Sequence, residues 1–216
     1  MKTQYGWEDF LQRFSTKVLW HFTGYNKNEN SAFEILKEIL KERNLRIKNV
    51  RTEIITPSGK KRFGHPCSCM CDIPFKDLRI HTARYGKYGI AFNKTSAILN
   101  GHFNPVLYIH SGHFLFRYIE ERLIDPIDKL IASSKHGKEL EKYLLILGTY
   151  IKRSDLTARV SIGNRVVDVL QNNNFYYERE WRSAYQWKFK NQDIEAIMIQ
   201  RKDIEEINNF FFLSFG

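Results

Sequence analysis

No stretch of this 216-residue chain has the makings of a signal peptide. The start, Met1-Lys2-Thr3-Gln4-Tyr5, leads into apolar residues interleaved with Glu8, Asp9, Gln12 and Arg13. No apolar run approaches the roughly 20 residues a membrane span needs. The longest, Leu144-Leu145-Ile146-Leu147, belongs to a short amphipathic pattern. A cytoplasmic protein without a membrane partner is expected. Cysteine is scarce: the three residues sit together as Cys67-Ser68-Cys69-Met70-Cys71, an odd, clustered set that makes a poor disulfide framework. Even with His65 nearby, period-two spacing on a strand sets the thiols in a row rather than around a tetrahedron, so they read as small core residues and no metal is expected. The phosphate-gripping patterns GxGxxG and GxxxxGK[ST] are both missing. Repeats, low-complexity tracts and linkers are missing too, which points to a single domain over 1–216.

What is present is apolar bulk and positive charge. Hydrophobic residues make up 43% of the chain, enough for a core, which excludes a disordered protein. The net charge of +10, from 34 Lys and Arg against 24 Asp and Glu, favours a polyanion such as nucleic acid, or an acidic protein mate.

Periodicity sketches the elements. Trp7, Phe10, Leu11 and Phe14 predict a helix over 5–17, and Val18 to Phe22 reads as a strand. After a turn, Ser31 with Glu34 fits a capping box. It opens a helix to about Arg43 with Phe33, Leu36 and Leu40 on one face. Pro57 to Arg62 reads as a loop or hairpin tip, Cys67 to Ile73 as a buried strand, and 75–84 as a short helix. Tyr88 to Phe92, Val106 to Ile109, Phe175 to Tyr185, Glu195 to Gln200 and Phe210 to Phe215 read as strands. Residues 114–151 carry two helical stripes and form a helical insertion, a candidate lid or docking element. The fold class is α+β, a mixed or antiparallel sheet split by that insertion.

Three places could carry chemistry. His21 sits two residues before Thr23 in a strand that turns at once into a capped helix. A neutral imidazole there can donate and accept, which suits ribose hydroxyls. Arg84-Tyr85-Gly86-Lys87-Tyr88-Gly89 offers tyrosine rings beside a flexible backbone, able to stack on a flat heteroaromatic such as nicotinamide. In Glu178-Arg179-Glu180-Trp181-Arg182, strand alternation puts Glu178, Glu180 and Arg182 on one face. The two glutamates are then spaced roughly 6.5–7 Å apart at their Cα atoms. Burial and like-charge repulsion would raise a carboxyl pKa there, and the arginines oppose this. Cleaving the nicotinamide–ribose bond passes through an oxocarbenium-like state that a carboxylate can stabilise. A clamp, a stacking platform and a carboxylate occur in that order.

The strings Leu19-Trp20-His21-Phe22-Thr23, Cys69-x-Cys71-Asp72-Ile73-Pro74, Tyr85 to Phe92, Asn104 to Ile109 and Phe175 to Arg182 resemble the AbiGi-type abortive-infection proteins of bacteria over most of the chain outside the helical insertion. That family carries an antitoxin label, at odds with an enzymatic reading. The pattern is also similar to the His-Tyr-Glu ADP-ribosyltransferase toxins of phage defence. This second resemblance implies an ADP-ribosyltransferase fold with NAD as substrate. It makes His21 the ribose-binding His, with Phe22 and Thr23 beside it. Tyr85 or Tyr88 is the stacking Tyr, and Glu180 or Glu178 the catalytic Glu. The acceptor then expected is a nucleic-acid base, RNA (messenger RNA foremost) ahead of single-stranded DNA. Lys48, Arg51, Lys60, Lys61 and Arg62 would track its phosphates, and Phe63 and Tyr25 would stack a base. Such an enzyme calls for an antitoxin protein partner. The alternatives are a non-catalytic basic antitoxin or regulator of an abortive-infection system, and an NAD glycohydrolase.

Overall fold

Strand β1 (Val18–Phe22) alternates in the period of two that buries one side chain set on each face of a sheet: Leu19 and Trp20 are both buried, yet in separate apolar clusters. The computed structural model describes residues 16–25, 27–48, 53–56, 59–62, 65–109, 114, 118, 135–153, 155–162, 165–174 and 178–215. The helix expected over 5–17 lies almost wholly outside them, as do most of 114–134, Arg51 and Phe63.

Helix α1 (Glu29–Glu42) follows β1. Its cap is Asn28, whose Oδ1 accepts from the Ser31 amide at 2.8 Å, so Ser31 lies inside the first turn rather than capping it. The expected face is buried: Phe33, Leu36 and Leu40, with Ala32. The helix ends at Arg43 in the left-handed region (φ 49°). Then come β2 (Asn44–Leu45), the hairpin β3 (Glu53–Thr56) and β4 (Gly59–Arg62), and β5 (Ser68–Cys71). Lys60, Lys61 and Arg62 thus lie along a hairpin strand.

A 3-10 turn at Phe75–Asp77 leads into α2 (Leu78–Tyr85), then β6 (Gly89–Asn93) and α3 (Lys94–Leu99). Next are β7 (Asn104–Pro105), β8 (Leu107–Ile109), α4 (Gly137–Thr149) and β9 (Ile151–Arg153). A long hairpin of β10 (Asp155–Ile162) and β11 (Arg165–Asn174) precedes β12 (Glu180–Ser183), β13 (Trp187–Lys188), β14 (Ile194–Met198) and α5 (Ile204–Phe215).

The central sheet has the order β14-β6-β1-β5-β12-β7, and every pair in it is antiparallel. Among the described residues four two-stranded sheets accompany it, of which β8–β9 is parallel. This is an α+β fold with an open, mostly antiparallel sheet. On one face Leu19, Met70, Ile90 and Phe92 pack against Ala32, Phe33, Leu36 and Leu40 of α1. On the other, Trp20, Cys71 and Ala91 pack with Ile73 and Leu78. Among the described residues no helix is long and apolar enough to cross a membrane.

Two strand expectations change. The Phe-rich tail is helix α5, not a strand. Ile204, Ile207 and Phe210 recur at three-residue steps, and Glu205 and Glu206 lie in its first turn, where acidic side chains favour a helix start. Of the strand expected over 175–185, residues 175–177 lie outside the described residues; the strand described is Glu180–Ser183, and Arg179 just before it takes a positive φ of 44° that no strand continues through.

Candidate functional site

In the sheet, Trp20 pairs with Cys71 and Cys71 pairs with Glu180, so these three side chains project from the same face. His21, one residue along, projects from the opposite face with Leu19. There it lines a cavity of about 90 Å³ with Ile35, Ile39, Asn44, Leu45 and Lys48. The ring Nδ1 lies 2.8 Å from the Cys69 carbonyl. A carbonyl only accepts, so Nδ1 carries the proton and Nε2 is left as an acceptor. Burial lowers the His21 pKa to about 4, so the ring is neutral at physiological pH.

The glutamates form a closed ionic cluster on the other face. Arg182 donates from Nε to Glu180 Oε1 at 2.8 Å, from Nη2 to Glu180 Oε2 at 3.1 Å, and from Nη1 to the Thr149 carbonyl at 2.7 Å. Lys152 Nζ bridges the carboxylates, 2.8 Å from Glu180 Oε2 and in contact with Glu178 Oε2. Glu178 Oε1 accepts from the Tyr85 hydroxyl at 2.6 Å, with Arg84 at 3.3 Å. The Glu180 amide donates to the Tyr108 hydroxyl at 2.8 Å. Both glutamates are buried. Burial pushes the Glu180 carboxyl up, but the charges of Arg182 and Lys152 outweigh it and hold the pKa at about 2. Burial first, then the Glu178 carboxylate, push the Tyr85 phenol well above its ordinary value, so it stays a donor.

The neighbourhood follows from register. The parallel β8–β9 pair sets Tyr108 opposite Lys152, and both then reach Glu180. Gly24 and Gly86 fix Tyr85. The Gly24 amide donates to the Tyr85 carbonyl at 2.9 Å, and a Cβ on Gly24 would stand 2.6 Å from that oxygen. Tyr85 also sits in an aromatic row with Phe22 at 6.2 Å and Tyr25 at 5.5 Å.

Of the residues singled out from sequence, Tyr85, Glu178 and Glu180 come together, and Phe22 stands beside Tyr85. His21 stands apart on the α1 face. The Thr23 hydroxyl donates to the Ala32 carbonyl at 2.7 Å and so ties β1 to α1. Tyr88 is 1% exposed; its hydroxyl donates to Asp203 at 2.7 Å and accepts from Gln200 at 2.8 Å. That ring is core, packed on Phe33, and presents no face to a nicotinamide. Lys48 is exposed, and its backbone bridges Cys67. Sequence reasoning missed Lys152, Tyr108 and Thr149, and gave Arg84 no role beyond its place in the Tyr-Gly stretch. Among the described residues no group of three or more His, Cys, Asp or Glu is placed to hold a metal ion.

A family model described as "Putative abortive phage resistance protein AbiGi, antitoxin" matches residues 33–216. No curated protein and no solved structure matches the chain.

Proposed function

The chain belongs to the AbiGi family of phage-resistance proteins, and from that premise we propose that it is the antitoxin of an abortive-infection system, a non-catalytic protein that restrains a toxin by binding it. The observation that carries this reading is the state of the two glutamates. All four carboxylate oxygens already take hydrogen bonds or ion pairs from Arg182, Lys152, Arg84 and Tyr85. A carboxylate that stabilises an oxocarbenium ion needs an open oxygen facing the sugar. His21, the other half of the supposed NAD clamp, faces the opposite side of the sheet. The cluster reads instead as a structural lock joining β12, β9 and α2. The net charge of +10 supports an acidic toxin surface as the partner.

A second reading, transfer of ADP-ribose from NAD to RNA, draws on one contact: Tyr85 and Glu178 meet at 2.6 Å. Two measurements separate the readings. Purified protein is incubated with labelled NAD and with pools of RNA, single-stranded DNA and protein. The expected result is intact NAD and no label on any pool. In cells, removing this chain alone from its phage-defence system is expected to cause growth arrest without phage, reversed equally by wild type and Glu178→Gln. NAD loss that vanishes in Glu178→Gln would overturn the antitoxin reading. Label on RNA would name a transferase, and NAD loss without label a glycohydrolase.

A further inference from the structure

Cys67 and Cys69 place their sulfurs 3.8 Å apart on the sheet face that carries Glu180 and Arg182. We propose that these two thiols are a peroxide-sensitive pair, oxidised to a Cys67–Cys69 disulfide that displaces the segment around Lys48 and reshapes the cavity beside His21. Cys71 serves as a built-in contrast. It is buried and its thiol points at the Trp20 carbonyl, 3.6 Å away. Cys69 is the partly exposed member of the pair and Cys67 the buried one.

The electrostatics distinguish the two thiols. The hydrogen bond from Cys69 lowers the Cys67 thiol, burial opposes this, and Arg182 lowers it further. The same hydrogen bond and burial raise Cys69, so Cys67 is the more acidic member of the pair. Burial and the nearby glutamates raise Cys71, which stays a thiol. Because Cys67 is buried, the reacting form is the minor one, in which the proton has passed from Cys69 to the Cys67 thiolate and the sulfur of the partly exposed residue carries the charge. It attacks a hydroperoxide: an S–O bond forms, the O–O bond breaks, and an alcohol or water leaves. Cys69 is then a sulfenic acid. Cys67 attacks that sulfur, the S–S bond forms, and the hydroxide leaves as water with the Cys67 proton. Two thiols and one hydroperoxide give one disulfide, one alcohol (or water) and one water.

The mechanical consequence follows from strand dimensions. Residues i and i+2 of a strand have Cα atoms about 6.6–6.8 Å apart, at the upper limit for a disulfide, so the chain must shorten locally. Residues 68–71 are held between β1 and β12. Cys67 lies outside that strand and is held by one bridge, its amide and carbonyl each 2.9 Å from their Lys48 partners. The Cys67 end therefore yields. Cys69 in turn holds the ring of His21 through its carbonyl. Both members of the pair are thus tied to residues that line the same cavity, Lys48 and His21.

The test is titration of the folded protein with hydrogen peroxide, thiol blocking, and peptide mass mapping, with amide hydrogen exchange on the same samples. The expected result is a loss of two hydrogens confined to Cys67 and Cys69. Free thiols fall from three to one, and dithiothreitol restores them. The Lys48 and Cys67 amides lose protection on oxidation. Cys71→Ser retains the reaction, and Cys67→Ser replaces the Cys67–Cys69 disulfide with a dimedone-trapped sulfenic acid at Cys69. Absence of the disulfide in the wild type, or a disulfide through Cys71 instead, would overturn the proposal. A disulfide that leaves Lys48 protection unchanged would overturn its link to the cavity.

Discussion

Arg182 holds Glu180 from two residues along the same strand, with Nε on one carboxylate oxygen at 2.8 Å and Nη2 on the other at 3.1 Å. Both side chains are buried, Arg182 at 3% exposure. Removing one partner of such a pair leaves a buried charge short of compensation, which typically costs about 3–5 kcal/mol. Arg182→Ala is expected in that range, since Lys152 alone remains on Glu180 and the Thr149 carbonyl loses its donor. Replacing both residues by apolar ones, as in Glu180→Leu with Arg182→Met, should recover much of the loss. Urea denaturation of Glu180→Leu, of Arg182→Met and of the double variant forms the cycle that measures this. Additive losses, with the double variant falling by the sum of the two singles, would show that the pair is not a unit.

The same cluster sets an acid limit. The Glu180 pKa is about 2 in the folded protein against an ordinary 4.5. A carboxyl depressed by folding stabilises fully above its unfolded pKa, and that stability is lost as pH falls through the folded value. By linkage the contribution is about 3 kcal/mol, lost between about pH 4.5 and pH 2. Urea midpoints of wild type should fall steeply across that window. Glu180→Gln should start lower and change less there. Parallel curves for the two proteins would refute the assignment.

Much of the sheet was legible because its strands announce themselves locally. Leu19 to Phe22, Cys69 to Cys71 and Ile90 to Phe92 are short apolar runs, and each became a neighbouring strand of one sheet. The α1 face was legible for the same reason, since Phe33, Leu36 and Leu40 follow helical spacing. The hairpin of β10 and β11 was missed although Gly163-Asn164 between two β-rich runs is a turn signal. The tail was misread because consecutive Phe210, Phe211 and Phe212 mimic a strand, and only the spacing back to Ile204 and Ile207 reveals a helix. The site divides along the same line. Glu178 and Glu180 stand out in sequence. Their partner Lys152 lies 28 residues before Glu180 with no local mark, and the parallel pairing with Tyr108 is what delivers it. The pairing of His21 with Glu180 failed for a simple reason: one step of register flips a side chain to the other face.

Gly24 is the hinge point on which Tyr85 depends. A Cβ there would lie 2.6 Å from the Tyr85 carbonyl and 2.8 Å from Gly86 Cα, both backbone atoms with little room to move. Gly86 has φ +85°, which a side chain would strain. Gly24→Ala should therefore separate β1 from the end of α2 and pull the Tyr85 hydroxyl off Glu178. A cost of about 1–3 kcal/mol is expected from overpacking. The distinguishing readout is Tyr85 itself. Its phenol should titrate closer to the ordinary value in Gly24→Ala, followed by ultraviolet difference absorbance. An unchanged titration with lowered stability would place the damage elsewhere.

His21 gives a second pH signature, separated from that of Glu180. Its pKa falls from 6.5 to about 4 on folding, chiefly through burial. The unfolded chain then binds the proton first, so stability rises with pH between about pH 4 and 6.5. Protonating His21 would set a charge in the partly buried cavity, facing the Lys48 ammonium. The loss on acidification across this window is at most about 3 kcal/mol, less whatever solvent screens at this partly exposed ring. His21→Asn keeps a donor for the Cys69 carbonyl but cannot titrate. It should match wild type near pH 5 or exceed it, fall slightly below at pH 7.5, and show a flatter urea-midpoint profile between. Glu180→Gln should leave this upper window intact and flatten only the lower one. If His21→Asn and wild type lose stability in parallel from pH 6.5 to 4, the ring is solvated in the folded protein. The hydrogen bond its ring makes to the Cys69 carbonyl would then be open to water.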